Sequence, residues 1–313
     1  MQTEHFFQLM KDGTEVAVNR WLPEDDQDIK AIVVLCHGML EHSLRYDRVG
    51  CLFVENGFAL NAHDHRGHGK TANNAVQKGC GAFGKIADSD GFSKVVSDLD
   101  EIIDEVRKDF PGKKVILLGH SFGSIVAQNY IENHGNKVDA CILCGTTGPK
   151  SIAKAGLFLC NLLCLFGKNR RSAFLQNKVA FRGYLSKIKN PSSANAWISK
   201  NEDNVQMYEN DSWCGGTATV SFIRDITAGL CKTHRDKAMK KIPKDLPVYF
   251  IAGTEDPVGD YNKSIKKLIS IYKSNGMKNI QECFIEGERH EVFNEKDGDE
   301  NVLKVINWIE SVI

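Results

Sequence analysis

A serine between glycines, then a carboxylate, then a histidine, each placed after a strand-like run, is a pattern that can carry acyl-transfer chemistry. The serine is Ser121, in Gly119-His120-Ser121-Phe122-Gly123, a G-x-S-x-G pentapeptide. Lys114 to Leu118 before it reads as a buried strand and Ile125 to Ile131 after it as a helix, the context this motif requires. Turning from strand to helix in one residue strains the serine backbone and leaves no room for flanking side chains, which explains the glycines. The hydroxyl then projects at the carboxyl end of a sheet, beside the positive end of the following helix. A plain glycine turn with a serine helix cap has no need of both flanking elements.

A serine hydroxyl needs a base, and the base needs an acid to orient it. Gly253-Thr254-Glu255-Asp256-Pro257 follows the strand-like Pro247 to Ala252. Asp256 is the expected acid, with Pro257 fixing the turn; Glu255 competes with it, and Asp260 stands where a helix begins. His290 lies in the loop after the strand-like Ile280 to Ile285, whereas His134 ends a helix and His234 lies further up the chain. The order serine, acid, histidine is the one this chemistry uses on a strand–turn–helix scaffold. The developing oxyanion calls for backbone N–H donors. Phe122 supplies one, and Met39, in His37-Gly38-Met39 after the apolar run Ala31 to Cys36, is expected to supply the other. The reaction is acyl transfer to water, with no metal and no organic cofactor expected.

These groups need a frame. Asp12-Gly13 between His5–Met10 and Glu15–Leu22 predicts a β-hairpin. The continuous apolar run Ala31–Cys36 suits a strand covered on both faces, and Phe58–Ala62, Lys114–Leu118, Ala140–Leu143, Pro247–Ala252 and Ile280–Ile285 also read as strands. Helical patterns fall between them: Tyr46–Asn56, Phe122–Asn133, Tyr261–Ser274, Asn301–Ile313 and, with the clearest period, Phe92–Phe110. Strand–helix alternation means an α/β fold, a mostly parallel sheet with helices on both faces. From Thr147 to Leu230 the rhythm lapses, which predicts a helical insertion at 147–230 between core segments 1–146 and 231–313.

The bulk numbers exclude several classes. The 313 residues carry 40 Lys plus Arg against 40 Asp plus Glu, so no overall field draws nucleic acid or anionic lipid. Ten scattered cysteines read as buried thiols in a reducing compartment, and Met1 to Lys11 lacks an apolar signal segment; a cytoplasmic protein is expected. Leu157 to Phe166 is too short to span a bilayer. Gly79-Cys-Gly81-Ala-Phe-Gly84 matches a dinucleotide fingerprint but follows only the polar Lys70 to Lys78. His63-Asp64-His65-Arg66-Gly67-His68 has metal-ligand types, yet suits a structural turn. Cys141 and Cys144 on one strand point to opposite faces, which argues against a redox pair.

His37-Gly-Met-Leu-Glu41-His-Ser-Leu-Arg45-Tyr46, Asp64-His-Arg-Gly67-His-Gly69, the serine pentapeptide, Gly253-Thr-Glu-Asp256-Pro-Val258 and Arg289-His290-Glu291 occur in family order. They resemble the monoacylglycerol lipase and lysophospholipase group of α/β hydrolases, also labelled serine aminopeptidase-like. Ala196–Asn201 and Arg289–Glu295 look most like bacterial members. The resemblance implies an α/β-hydrolase fold, a Ser121–Asp256–His290 triad, an oxyanion hole at Met39 and Phe122, and a cap formed by the insertion. The sequence departs from the pattern at Phe122, where Met is usual, and in Leu157 to Phe166. Leu157, Phe158, Leu162, Leu163, Leu165 and Phe166 are expected to line an acyl-chain channel or touch a membrane surface transiently, or else to pack on the core. The substrate expected is a small-molecule or lipid ester. One rival is an aminopeptidase that uses Glu202, Asp203 and Glu209 to hold a substrate amine; the other is a non-catalytic binding protein. Oligomeric state stays open.

Overall fold

The computed structural model describes residues 1–25 and 29–313. Among these, eight strands form one sheet: β1 (Gln2–Leu9), β2 (Glu15–Leu22), β3 (Ala31–Cys36), β4 (Ala59–His63), β5 (Lys114–His120), β6 (Ala140–Cys144), β7 (Val248–Gly253) and β8 (Ile280–Ile285). Their order is β1-β2-β4-β3-β5-β6-β7-β8. The hairpin β1–β2 and the β2–β4 pair are antiparallel; every other pairing is parallel. The helices are α1 (Asp47–Glu55), α2 (Gly69–Gln77), α3 (Gly91–Asp109), α4 (Phe122–His134), α5 (Ala153–Cys164), the single turn α6 (Ala173–Leu175), α7 (Glu202–Asn210), α8 (Val220–Thr233), the short α9 (Asp236–Met239), α10 (Lys263–Ser274) and α11 (Gly298–Val312). None of them is long and apolar enough to cross a membrane.

Strand alternation decides which side chains meet which helices. Ile32, Val34 and Cys36 of β3 join the cluster formed with α3, α4, α8 and α10; Ala31, Val33 and Leu35 join the one formed with α1 and α11. Each large aliphatic side chain fully buried this way contributes about 1.5–3 kcal/mol. Cys141 and Cys144 fall into opposite clusters, as their spacing requires. All ten cysteines are free thiols.

Most boundaries move by one to three residues from the pattern reading. α10 starts at Lys263 rather than Tyr261, because Asp260, Tyr261 and Asn262 are successive left-handed residues. α2 covers a polar stretch that periodicity does not mark, and it places a helix rather than a strand before Gly79–Gly84. Between β6 and β7 the chain forms helices and one isolated bridge, Arg171 to Thr219. The boundary expected at Leu230 falls inside α8, which runs on to Thr233 and packs on α3 and α4 of the sheet's own layer.

Candidate active site

β5 delivers the chain to Ser121, whose φ of 53° and ψ of −116° lie where a non-glycine residue is strained by about 1–3 kcal/mol. Its N–H donates to the Cys144 carbonyl at the end of β6 (3.0 Å), and its carbonyl accepts from the Ser124 N–H (3.0 Å). A Cβ on Gly123 would overlap the Cys36 carbonyl, and one on Gly119 would overlap the Gly123 carbonyl. The two glycines therefore let α4 press directly onto the ends of β3 and β5.

Asp256 and His290 come together. Asp256 is fully buried just beyond β7; one carboxylate oxygen accepts the Val258 N–H (2.8 Å) and the other accepts from His290 Nδ1 (3.0 Å). The competitor Glu255 points to solvent and pairs with Lys200 at 2.8 Å. His290 is also buried, its ring lying between those of His120 (4.9 Å) and Trp197 (5.2 Å) and against the backbone of Gly145. Ser121 N–H binds Cys144, the residue before Gly145, so both the serine and the histidine lie at the end of β6. His290 Nε2, the nitrogen that faces away from Asp256, has no hydrogen-bond partner among the described residues. His234 is occupied elsewhere, bonded to Gln128 (3.0 Å).

Phe122 is the first residue of α4, so its N–H belongs to the unsatisfied first turn. Met39 precedes Leu40, a non-glycine residue at φ 56°. That loop is clamped at several points. The Leu40 carbonyl accepts from Tyr208 Oη and the Gly215 N–H (3.0 Å each), and the Gly38 N–H donates to Glu41 (2.5 Å).

Pattern reading missed what surrounds Glu41. Its carboxylate also accepts from Tyr46 Oη (2.9 Å) and Arg45 (2.6 Å) and lies 3.2 Å from His120. Arg45 forks onto both oxygens of Glu291 at 2.8 Å, reaches Asn204 of α7, and lies over the Tyr208 ring. Burial alone would raise Glu41 and Glu291. The His120 ring and Arg45 outweigh it at Glu41, and Arg45 does so at Glu291, so both carboxyls sit below their usual range. Burial likewise pulls His120 down, and Glu41 more than reverses it. This network links the Met39 loop, the residue after His290 and α7. Its only advance signal was Glu41 and Arg45 at i and i+4, with Glu291 next to a histidine.

The His63–His68 segment is a structural turn. Asp64 accepts from the Ser43 N–H and hydroxyl and from the Lys70 N–H at the start of α2, and Arg66 forks onto Asp98 and Asp12. Cys36, His63 and His65 bring one ligand atom each within 4.8 Å of one another. Most ring nitrogens there are engaged: His63 Nε2 donates to His65, His65 to the His37 carbonyl, and His37 to the Gly38 carbonyl, while His63 Nδ1 has no partner among the described residues. That relay suits neutral rings. Burial pushes His37 down to about 4 and His63 and His68 to about 3.

Ser121, Met39 and Phe122 share a cavity of about 410 Å³, walled mainly by α5, α8 and the turns around Val179 and Tyr184. Leu157, Phe158, Leu162, Leu163, Leu165 and Phe166 are not in that wall. The helical period turns Ile152, Ala153, Gly156 and Leu159 toward the cavity instead. It leaves Phe158, Leu165 and Phe166 more than 70% exposed, while Leu163 packs on the core. Glu202, Asp203 and Glu209 also face solvent, because α7 buries Asn204, Val205 and Tyr208.

Residues 27–297 match the family model described as serine aminopeptidase, S33. The chain is 31% identical over 144 residues to the monoacylglycerol lipase of Mycolicibacterium smegmatis, a stretch covering 46% of each chain, so that match spans about half the relative's length. It is 24% identical over 300 residues to the protein of Haemophilus influenzae called "Probable lysophospholipase L2", covering 92% of this chain and 86% of that one. A thermostable carboxyl esterase from Bacillus coagulans, crystallised with glycerol, superposes over 100% of this chain and 99% of its own with a TM-score of 0.89 at 28% identity. The sheet order, the strained serine and the extent of the family match place the chain in the serine aminopeptidase S33 family of α/β hydrolases.

Proposed function

We propose that the protein hydrolyses carboxylic esters of lipid type, monoacylglycerols or lysophospholipid-like esters, through an acyl-enzyme on Ser121. The observation that carries this reading is the strained Ser121 on the wall of a largely apolar cavity, with the His290–Asp256 pair beside it. Ser121 Oγ attacks the ester carbonyl as His290 Nε2 takes its proton, while Asp256 holds the ring with Nδ1 protonated and stabilises the imidazolium. The N–H groups of Met39 and Phe122 receive the oxyanion. The bond to the leaving alcohol breaks, His290 returns the proton to that alcohol, and a water activated by the same ring then hydrolyses the acyl-enzyme.

The helical segment between β6 and β7 acts as the cap, with the inner face of α5 against the acyl chain. The exposed Phe158, Leu162, Leu165 and Phe166 are placed to touch a lipid surface transiently. Ten free thiols suit a cytoplasmic setting. The aminopeptidase reading draws no support from Glu202, Asp203 and Glu209, which face solvent.

The test is hydrolysis of p-nitrophenyl esters of rising chain length, beside monoacylglycerols and lysophosphatidylcholine, with Ser121→Ala as the blank. Turnover that disappears in the variant is expected. Aminoacyl amides cleaved in place of esters would overturn the proposal.

A further inference from the structure

The protein's charges balance overall but are not mixed along the chain. Between Asp139 and Glu202 there is no acidic residue and there are ten lysines and arginines. Three of these, Lys150, Lys178 and Arg182, line the cavity onto which Ser121 opens, and among the described residues no aspartate or glutamate lines it. None of the three has a carboxylate within salt-bridge distance among the described residues, although the chain pairs many of its other cations. Lys178 and Arg182 are exposed at the rim. Lys150 is largely withdrawn from water, and among the described residues its ammonium donates to a single acceptor, the Val258 carbonyl, at 2.9 Å.

An ammonium has three donors. Seating one in an apolar wall with one acceptor and no counter-ion is unfavourable for folding, and a methionine of similar length would avoid that penalty. Burial accordingly pulls Lys150 down, while Asp256 and Asp260 only partly oppose it. A substrate anion beside Lys150 would remove the penalty, and the rim cations would draw that anion in along the local field.

We infer that this cavity selects esters carrying an anionic group, with Lys150 taking the anion and Lys178 and Arg182 guiding it at the mouth. The inference rests on the ester-hydrolase reading of the same site. The anion sits either on the alcohol half of the ester, as a phosphate, or on the acyl half, as a carboxylate.

Two matched pairs separate these sources. Lysophosphatidylglycerol against monoacylglycerol of the same chain places the charge on the alcohol side. The p-nitrophenyl half-ester of a dicarboxylic acid against its methyl ester places it on the acyl side. In at least one pair the anionic member should have the higher kcat/KM, by about tenfold or more and mostly through KM, the size of one charge-assisted contact. Lys150→Met should abolish that ratio and Lys150→Arg should keep most of it. Lys178→Gln with Arg182→Gln, both at exposed positions, should lower the ratio severalfold and flatten its salt dependence, which decides the matter if Lys150→Met fails to fold. Neutral members turned over as well as anionic ones in both pairs, or a ratio unmoved by these changes, would overturn the inference. Calorimetric binding of decyl phosphate against decanol to Ser121→Ala keeps the two readings apart. Anion-selective binding without wild-type turnover would uphold the site and sink the hydrolase, whereas turnover without anion selectivity would do the reverse.

Discussion

The sheet with its loop ends and the excursion between β6 and β7 follow opposite rules. In the first, buried charges are matched: Arg45 by Glu41 and Glu291, Arg66 by Asp98 and Asp12, Asp256 by His290. In the second, residues 140–201 contain no acid, cations line an apolar cavity, and Phe158, Leu165, Phe166 and Phe174 stand in solvent. One region fixes reacting groups in place, which demands satisfied partners. The other leaves partners missing, and in a folded chain missing partners point to something bound from outside.

Substitutions can break this contrast at either end. The largest effect should come from Asp256→Asn, which leaves the fold but lets His290 adopt the wrong tautomer; turnover should fall about a thousandfold to ten-thousandfold, against little change in Glu255→Gln. Steady-state kinetics on the two variants checks the choice of acid. Arg45→Met strands two buried carboxylates, so unfolding free energy should drop by about 3–5 kcal/mol in a urea titration, with activity falling as the Met39 loop loosens.

A third outcome concerns acid. His37, His63 and His68 titrate near 4, 3 and 3 in the folded protein, below their unfolded value near 6.5. Below that value the unfolded chain gains protons the native rings refuse. Stability should therefore be full above about pH 6.5 and fall toward pH 3–4, by up to about 1.4 kcal/mol per pH unit for each ring. Glu41 and Glu291, with lowered carboxyls, add their own loss further down. A set of urea midpoints from neutral to acid pH would show it; a flat profile down to pH 5 would mean the rings are not held neutral.

In the excursion the signs should differ. Leu165→Ser with Phe166→Ser should change stability by less than about 0.5 kcal/mol, since both side chains are exposed. The same pair should lower turnover of vesicle-borne long-chain esters severalfold relative to a soluble short ester. A stabilising change is expected at Glu132 on α4. Burial raises its carboxyl to about 9, so at neutral pH folding forces a proton onto it. Glu132→Gln should stabilise the protein by about 1–2 kcal/mol at pH 7, an advantage that shrinks as the pH falls toward about 4.5 and is gone below it.

The contrast also explains what could be read from sequence. The positions of Ser121, Asp256 and His290 were legible because each follows a strand-like run, and a parallel sheet brings strand ends to one edge whatever the loops do. The Glu41–Arg45–Glu291 network was not, because Arg45 and Glu291 lie 246 residues apart and only packing unites them. The cavity wall was misassigned for a simpler reason. In Leu157 to Phe166 apolar residues occupy every face of α5, so composition alone gives no inner side, and it is Ile152, Gly156 and Leu159 that turn inward.

β6 and β7 are direct neighbours in the sheet, with Cys141 opposite Val248. The chain thus leaves the carboxyl end of β6 and, about a hundred residues later, re-enters at the amino end of its parallel neighbour. Closing a loop depends only weakly on its length, about 0.6 kcal/mol for each doubling. The excursion is therefore a graft whose size and composition can change without altering the register of any strand. A lineage built on this sheet can exchange one substrate preference for another by replacing that graft, while the reacting groups beneath it stay where they are.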